Sequence, residues 1–193
     1  MQDRLSQILN FLETIDSFKS IERATYLSDQ NRHESDADHT WHMAMFALLL
    51  HEELNLKVDL TKVLKLILIH DLCEIYAGDT FAYSPQHKNH KKEKEAAEKI
   101  FAFLPQDLER TLLDAWMEFT FGTSPEACFA RSLDRMQALA QNVISSGRTW
   151  KERGVKETMS RELNQDHVAL DPVLKTIFEM YFQRASEENL WSS

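Results

Sequence analysis

The chain has 193 residues, 43% hydrophobic and 27% charged, with a formal net charge of -9. This length suits one domain with a substantial core, and the acidic balance argues against sequence-independent binding of nucleic acid, although a local basic pocket can still draw in a small anion. Four glycines and four prolines are too few for an all-β fold with its many tight turns, and neither GxGxxG nor GxxxxGK[ST] occurs, so any phosphate is bound without a glycine-rich loop.

The first ten residues carry charge and polarity where a signal peptide needs an apolar run. The longest apolar stretches, such as residues 43–50, are too short to span a bilayer. The expectation is a cytoplasmic protein without a membrane partner, in which Cys73 and Cys128 are reduced thiols in apolar helical surroundings.

Leu5, Ile8, Leu9 and Leu12 recur at helical spacing and predict an amphipathic opening helix. Residues 20–36 read as an irregular, charged stretch. A second helix is predicted from Asp36 or Asp38, either of which suits its N-cap, through Met43, Phe46, Leu49 and Leu50 to about Asn55. A third starts near Asp59 or Thr61, carries Val63, Leu64, Ile67, Leu68 and Ile69, and ends near Gly78. Being apolar on most of its surface, it is expected to be the central helix.

Residues 79–90 read as a polar loop around Pro85. A charged helix follows from about Asn89, in which Lys91, Lys92, Lys94, Glu93, Glu95 and Glu98 alternate. A solvated face with i,i+4 pairs is the favoured reading of that run, over a basic lip of Lys88, Lys91 and Lys92 that attracts an anionic substrate. Pro105 and Pro125 each read as the first residue of a helix, the second capped by Ser124. The helix from Pro125 runs through Phe129, Leu133, Met136 and Leu139 towards Gly147. Asp171 and Pro172 start a last helix through Ile177 and Tyr181, followed by a frayed tail after Glu187. With no repeat, low-complexity segment or linker, residues 1–193 read as one all-α domain, its core at about residues 10–150 and further helices over 151–187.

The apolar run of the third helix leads directly into His70-Asp71, then Glu74, then Gly78-Asp79-Thr80. A histidine and two carboxylates at the buried end of such a helix are costly unless partnered, and a divalent cation is the most effective partner. Spacings of three and four bring His70, Asp71 and Glu74 to one side of the helix end. A helix-capping cluster is the competing reading, disfavoured because carboxylates meet the negative end of the dipole there. The second helix offers His39 and His42, with His33 just ahead, and histidine count does not choose among them. Asp134 sits among Phe129, Leu133 and Met136. Taken alone, a surface pair with Arg131 or Arg135 is favoured there over a carboxylate turned inward to a metal.

The order His39, His70-Asp71, Asp134 resembles the H…HD…D signature of the HD-domain metal-dependent phosphohydrolases, and more closely the branch that contains the 5'-deoxynucleotidases. The matching segments are residues 32–39 (RHESDADH), 70–79 (HDLCEIYAGD) and 133–135 (LDR). Residues 91–103 resemble the charged helix of that branch and Leu104-Pro105 its following turn. The likeness covers roughly residues 10–150, and HDxxExxxGD with an upstream ExxxxH and a downstream Asp makes it specific.

The resemblance implies an HD-domain helical bundle with His39, His70, Asp71 and Asp134 as metal ligands. Such mixed imidazole and carboxylate donors suit Mn, Co, Fe, Zn or Mg. It implies Glu74 and Asp79 as the catalytic acids, with a second ion held by Glu74 and Asp79 in some members, together with the residue that is Thr80 here. Near residues 21–26 (IERATY) relatives carry an Arg and then an aromatic at the nucleotide. This implies Arg23, Tyr26 and Thr80 as substrate contacts, with Tyr26 where many relatives have Trp. The implied activity is hydrolysis of a (deoxy)nucleoside 5'-monophosphate by a homodimer. Two alternatives stand beside it. One is the same site acting on a triphosphate, a cyclic nucleotide or (p)ppGpp. The other is a non-catalytic helical protein stapled by its metal, which the intact Glu74 and Asp79 speak against.

Overall fold

Helix α1 (Gln2–Thr14) is the predicted opening helix, but it turns Phe11 into the core and leaves Leu5, Leu9 and Leu12 exposed. The computed structural model describes residues 2–84 and 90–193. After a 3-10 turn, Ile15–Ser20, which buries Phe18, residues 20–36 are not irregular. Strands β1 (Glu22–Tyr26) and β2 (His33–Ser35) pair antiparallel, Glu22 opposite Ser35 and Tyr26 opposite His33, with a bulge between the two pairs. The Asp36 N–H donates to the Ile21 carbonyl at 3.0 Å, so the hairpin runs straight into the next helix.

That helix, α2 (Asp36–Leu50), is capped by Ser35, one residue before the predicted caps. Ser35 Oγ accepts from the Asp38 N–H at 3.2 Å and Asp38 Oδ2 accepts from the Ser35 N–H at 2.9 Å, a reciprocal capping box. It fixes Asp36 and His39, both fully buried, on the first turns of the helix. Asp59 caps α3 (Leu60–Ile69) by accepting from the N–H groups of Thr61 and Lys62. Helix α3 is central as expected, packed against α2, α6 (Gln106–Phe121) and α7 (Pro125–Ile144).

The helix does not reach Gly78, however. It ends at Ile69, residues 70–73 form turns, and α4 (Glu74–Ala77) is a single turn. The Trp116 indole donates to the His70 carbonyl at 3.0 Å, taking the acceptor that a continuing helix would use. Gly78 then leaves α4 at φ 75°, ψ 150°, a region essentially restricted to glycine. His70-Asp71, Glu74 and Asp79 therefore sit around a corner rather than along one straight helix.

The charged helix α5 is described from His90 (His90–Phe101) and pairs Lys91 with Glu95 and Lys94 with Glu98 on its outer side. Pro85, Lys88 and the predicted start at Asn89 lie outside the described residues. Pro105 occupies the cap of α6 rather than its first turn. Ser124 caps α7 as predicted, with Pro125 in the first position. Helices α8 (Arg148–Arg153), α9 (Glu157–Val168) and α10 (Pro172–Glu187, capped by Asp171) follow, α9 and α10 packing on α7.

The tail after Glu187 is not frayed. Leu190 is buried, Trp191 stacks on Trp150 with centroids 4.0 Å apart, and the Ser192 N–H donates to the Val155 carbonyl. It passes so close to Gly147 that a β-carbon there would lie 2.2 Å from the Leu190 carbonyl oxygen. Cys73 and Cys128 are free thiols. No helix among the described residues is long and apolar enough to cross a membrane. Helices dominate throughout, and the short hairpin is the exception to an all-α architecture.

Candidate metal centre

Three parts of the fold converge on one point. Helix α2 brings His39, the corner after α3 brings His70 and Asp71, and α7 brings Asp134. Donor atoms of His39, His70 and Asp71 all lie within 4.8 Å of one another. Asp71 Oδ2 is 2.9 Å from His70 Nε2 and 4.0 Å from His39 Nε2, and Asp134 Oδ1 is 3.2 Å from His39 Nε2. Two donors sharing an ion with bonds of about 2.1 Å stand roughly 3–3.5 Å apart, so these spacings suit a common cation.

The two imidazoles are oriented for that task. His70 Nδ1 donates to the Ile67 carbonyl at 2.7 Å, and His39 Nδ1 faces Gln137 Oε1. A carbonyl only accepts, so Nδ1 carries the proton and Nε2 the lone pair. Both Nε2 atoms are buried, and neither has an aligned hydrogen-bond partner among the described residues. An unpaired buried acceptor is costly. An anchored Nδ1–H with a free Nε2 is also how metal-bound histidines are held. The donor set fits a divalent ion.

A second group lies beside the first. Oxygens of Asp36, Glu74 and Asp79 also come within 4.8 Å of one another, and Asp36 Oδ2 and Glu74 Oε2 are buried without a hydrogen-bond partner among the described residues. Arg23 from β1 stands between the groups. Its Nη1 is 3.0 Å from Asp36 Oδ1, 2.9 Å from Asp71 Oδ2 and 3.8 Å from Asp79 Oδ1, and its Nε is 4.0 Å from Glu34. One guanidinium facing four carboxyls leaves local negative charge that a cation would balance.

Ionisation follows from this crowding. Burial, then the charge of Asp71, pushes the Asp36 carboxyl up to about 6 against the pull of Arg23. Burial, with Asp71 and Asp36, raises Glu74 well above the usual carboxylate range. Burial also raises Asp79, with Arg23 opposing and Asp71 adding. For Asp71 burial opposes ionisation, but His70 and Arg23 outweigh it and hold the carboxyl at about 2. At Asp134 burial is likewise outweighed, by His39 and Arg135, and the carboxyl lies well below its usual range. Burial disfavours a charged His70, yet Asp71 raises its affinity for a proton. A proton and a metal compete for that same lone pair.

Arg23, Glu74, Asp79 and Thr80 line one cavity of about 260 Å³ together with His70, Asp71 and Asp134. Tyr26, expected at the substrate, is not among the residues that line it. Its ring lies against His33 and under the Arg148 guanidinium, and its hydroxyl meets Glu152. Arg23, Ala24 and Thr25 of the same strand do line the cavity, the bulge between Glu22 and Tyr26 breaking strict alternation of faces. Asp134 turns one oxygen inward to His39 and keeps the other 4.0 Å from Arg135 Nε, while Arg131 donates to the Phe119 and Gly122 carbonyls. His33 and His42 lie outside the three-donor group.

Two site residues have no role in the sequence reading beyond a cap or nothing at all. Asp36 precedes His39 by three on α2, and Gln137 follows Asp134 by three on α7. That helical spacing was the available signal.

The family model described as "HD domain" matches residues 15–173. Among curated proteins, 5'-deoxynucleotidase HDDC2 of Homo sapiens is 29% identical over 137 residues, 69% of this chain and 66% of that protein. The Bos taurus protein of the same name is 31% identical over 69% of this chain and 65% of its own length. The match thus spans about two thirds of these relatives. A solved structure described as a predicted metal-dependent phosphohydrolase from Magnetospirillum magnetotacticum has a TM-score of 0.90 at 34% identity, over 99% of this chain and 100% of that one. A conserved hypothetical protein from Pyrococcus furiosus, at 21% identity and a TM-score of 0.59, shares the fold.

Proposed function

The chain belongs to the HD domain family, and on that premise we propose that it is a metal-dependent phosphohydrolase converting (deoxy)nucleoside 5'-monophosphates to nucleoside and phosphate. The observation that carries this reading is the pair of buried imidazole Nε2 atoms, each facing a carboxylate oxygen at 2.9 or 3.2 Å and without an aligned hydrogen-bond partner among the described residues, beside an acid-lined cavity. His39, His70, Asp71 and Asp134 would hold the ion, one of Mn, Co, Fe, Zn or Mg; Glu74 and Asp79 would either hold a second ion or, without one, keep their protons. When bound, the ion supplies Lewis-acid polarisation of a phosphoryl oxygen and brings the pKa of water down towards about 7.

The chain's own residues do the rest. Glu74 and Asp79, both inclined to keep protons, serve the reaction as acids. Glu74 Oε2, buried and without a hydrogen-bond partner among the described residues, is the atom that would carry such a proton. Arg23 offsets charge on the phosphate from the cavity wall, and Thr80 adds a hydroxyl beside Asp79. The name 5'-deoxynucleotidase on the human and bovine relatives favours a monophosphate over a triphosphate, cyclic nucleotide or (p)ppGpp. The cavity, about 260 Å³, is just under the usual span of about 300–1,000 Å³ for ligand pockets and suits one nucleotide. The same reading includes a homodimer, supported by the exposed Trp41, Leu48 and Leu49 along one face of α2.

Phosphate release tests the proposal. Protein stripped by a chelator and reloaded with Mn²⁺ or Co²⁺ is offered the deoxynucleoside 5'-monophosphates, dATP, a cyclic nucleotide and ppGpp. Phosphate is expected from the monophosphates, and Asp71→Ala should lose both bound metal and turnover while keeping its helices. No phosphate from any monophosphate refutes the substrate, and an Asp71→Ala protein with full metal and full activity refutes the site. Helices that melt on stripping would favour the metal-staple alternative.

A further inference from the structure

Helix α6 grips the corner that carries His70 and Asp71. In a continuing α-helix the His70 carbonyl would accept from the Glu74 N–H, four residues on. That N–H donates instead to the Asp71 carbonyl at 2.8 Å. The Leu72 and Ile75 N–H groups also reach three residues back, to the Ile69 carbonyl at 3.2 Å and the Leu72 carbonyl at 3.4 Å. The chain here is wound as a 3-10 turn, tighter than α3. The His70 carbonyl loses its helical donor, and the Trp116 indole supplies one at 3.0 Å. Trp116 and His70 are 1% and 3% exposed, so this bond is made away from solvent. The winding matters to the site. Side chains three apart eclipse on a 3-10 turn. Asp71 and Glu74 are three apart, and both line the cavity. Asp71 Oδ2 comes back to within 2.9 Å of His70 Nε2, although neighbours on an α-helix diverge by roughly 100°. His70 itself is held at three points: Nδ1 on the Ile67 carbonyl, the ring against Phe119 with centroids 4.7 Å apart, and the carbonyl on Trp116. Two of the three come from α6.

Building on the metal-centre reading, we propose that Trp116 is a positioning residue, whose N–H holds residues 70–75 in the tight turn that aims His70, Asp71 and Glu74 at one ion. It acts through the backbone. Without the indole N–H, the nearest substitute donor along the chain is the Glu74 amide. Recruiting that amide rewinds residues 70–74 as α-helix and turns Asp71 away from the two Nε2 lone pairs. The Cys73 thiol shares the corner, near the indole and 3.8 Å from the His70 carbonyl. A thiol is a weak donor and a weak acceptor, so the 3.0 Å bond from the indole is the one that directs the chain. Groups that orient metal ligands in this way govern affinity for the ion nearly as strongly as the ligands do.

The experiment replaces Trp116 alone by benzothienylalanine, which keeps the ring's size and puts sulfur in place of the N–H, and in a second protein by azatryptophan, which keeps the N–H. Each full-length protein is stripped by a chelator, melted, and titrated with Mn²⁺ by calorimetry. The benzothienyl protein is expected to lose roughly 10- to 100-fold in Mn²⁺ affinity, and the azatryptophan protein to bind as the unaltered one does. Trp116→Phe, which also opens a cavity, should lose at least as much. Cys73→Ala should keep its affinity. A benzothienyl protein that melts lower when stripped but binds Mn²⁺ with unchanged affinity makes the bond structural only and overturns the proposal. Cys73→Ala losing as much affinity as the benzothienyl protein would make the thiol the anchor and overturn it too. In both cases the unaltered protein still binds Mn²⁺, so the metal centre stands. An unaltered protein that binds no Mn²⁺ refutes the metal centre itself, and the positioning role falls with it.

Discussion

Asp36 lies at the first position of α2, fully buried, with one carboxyl oxygen on Arg23 and the other without a hydrogen-bond partner among the described residues. Its carboxyl is raised to about 6 from an ordinary 3.8, so the folded protein keeps a proton that the unfolded chain has released. That contribution to stability is complete below about pH 4 and lost as pH rises through about 6. Asp71, held at about 2, acts in the opposite sense and below this window. Metal-stripped protein is therefore expected to lose melting temperature between about pH 4 and 6, and Asp36→Asn to flatten that loss. Mn²⁺ should restore stability most above pH 6, with protons released on binding. A melting temperature that climbs through this window in stripped protein contradicts the assignment. Asp36 was legible in the sequence only as a cap, because its chemistry depends on Asp71 and Glu74 arriving from another part of the chain. His70-Asp71 was legible because the motif is local.

Four elements are joined by one hydrogen-bonded chain. Thr25 Oγ1 on β1 donates to Glu34 Oε2 on β2 at 2.6 Å, and Gln137 Nε2 on α7 donates to Glu34 Oε1. Gln137 Oε1 in turn faces His39 Nδ1 on α2. A carboxylate only accepts, so Glu34 fixes which way the amide points and thereby which nitrogen of His39 is free. Gln137→Met is expected to weaken Mn²⁺ binding roughly 10- to 100-fold by calorimetry. Gln137→Glu should do the same by setting two carboxyls in contact. Combining it with Glu34→Gln exchanges acid and amide, restores the pattern and should recover affinity. A double variant no better than the singles would reduce the chain to packing. At this scale the long helices were legible from periodicity, and Ser124 and Asp171 from their capping chemistry. The hairpin was not, because strands of five and three residues carry too little alternation. The end of α3 at Ile69 was not, because Trp116, 46 residues later, helps set it. The tail was misread because its anchor, Trp150, is distant in sequence.

Across the whole molecule, α3 packs against α2, α6 and α7, and the proposed metal ligands are spread over residues 39–134 of the chain. The match to the HD domain over residues 15–173 places the chain in that family. Helix α2 also carries the exposed Trp41, Leu48 and Leu49. Sedimentation should give a two-chain mass that Leu49→Glu converts to one chain, and a single-chain mass in the unaltered protein at all concentrations contradicts the homodimer. The central claim is that two oriented imidazoles and Asp71 hold one catalytic ion. Anomalous diffraction from crystals grown with Mn²⁺ tests it most directly. The account predicts a peak within about 2.0–2.3 Å of His39 Nε2, His70 Nε2 and an Asp71 carboxylate oxygen; no peak there, or one confined to surface carboxylates, would contradict it.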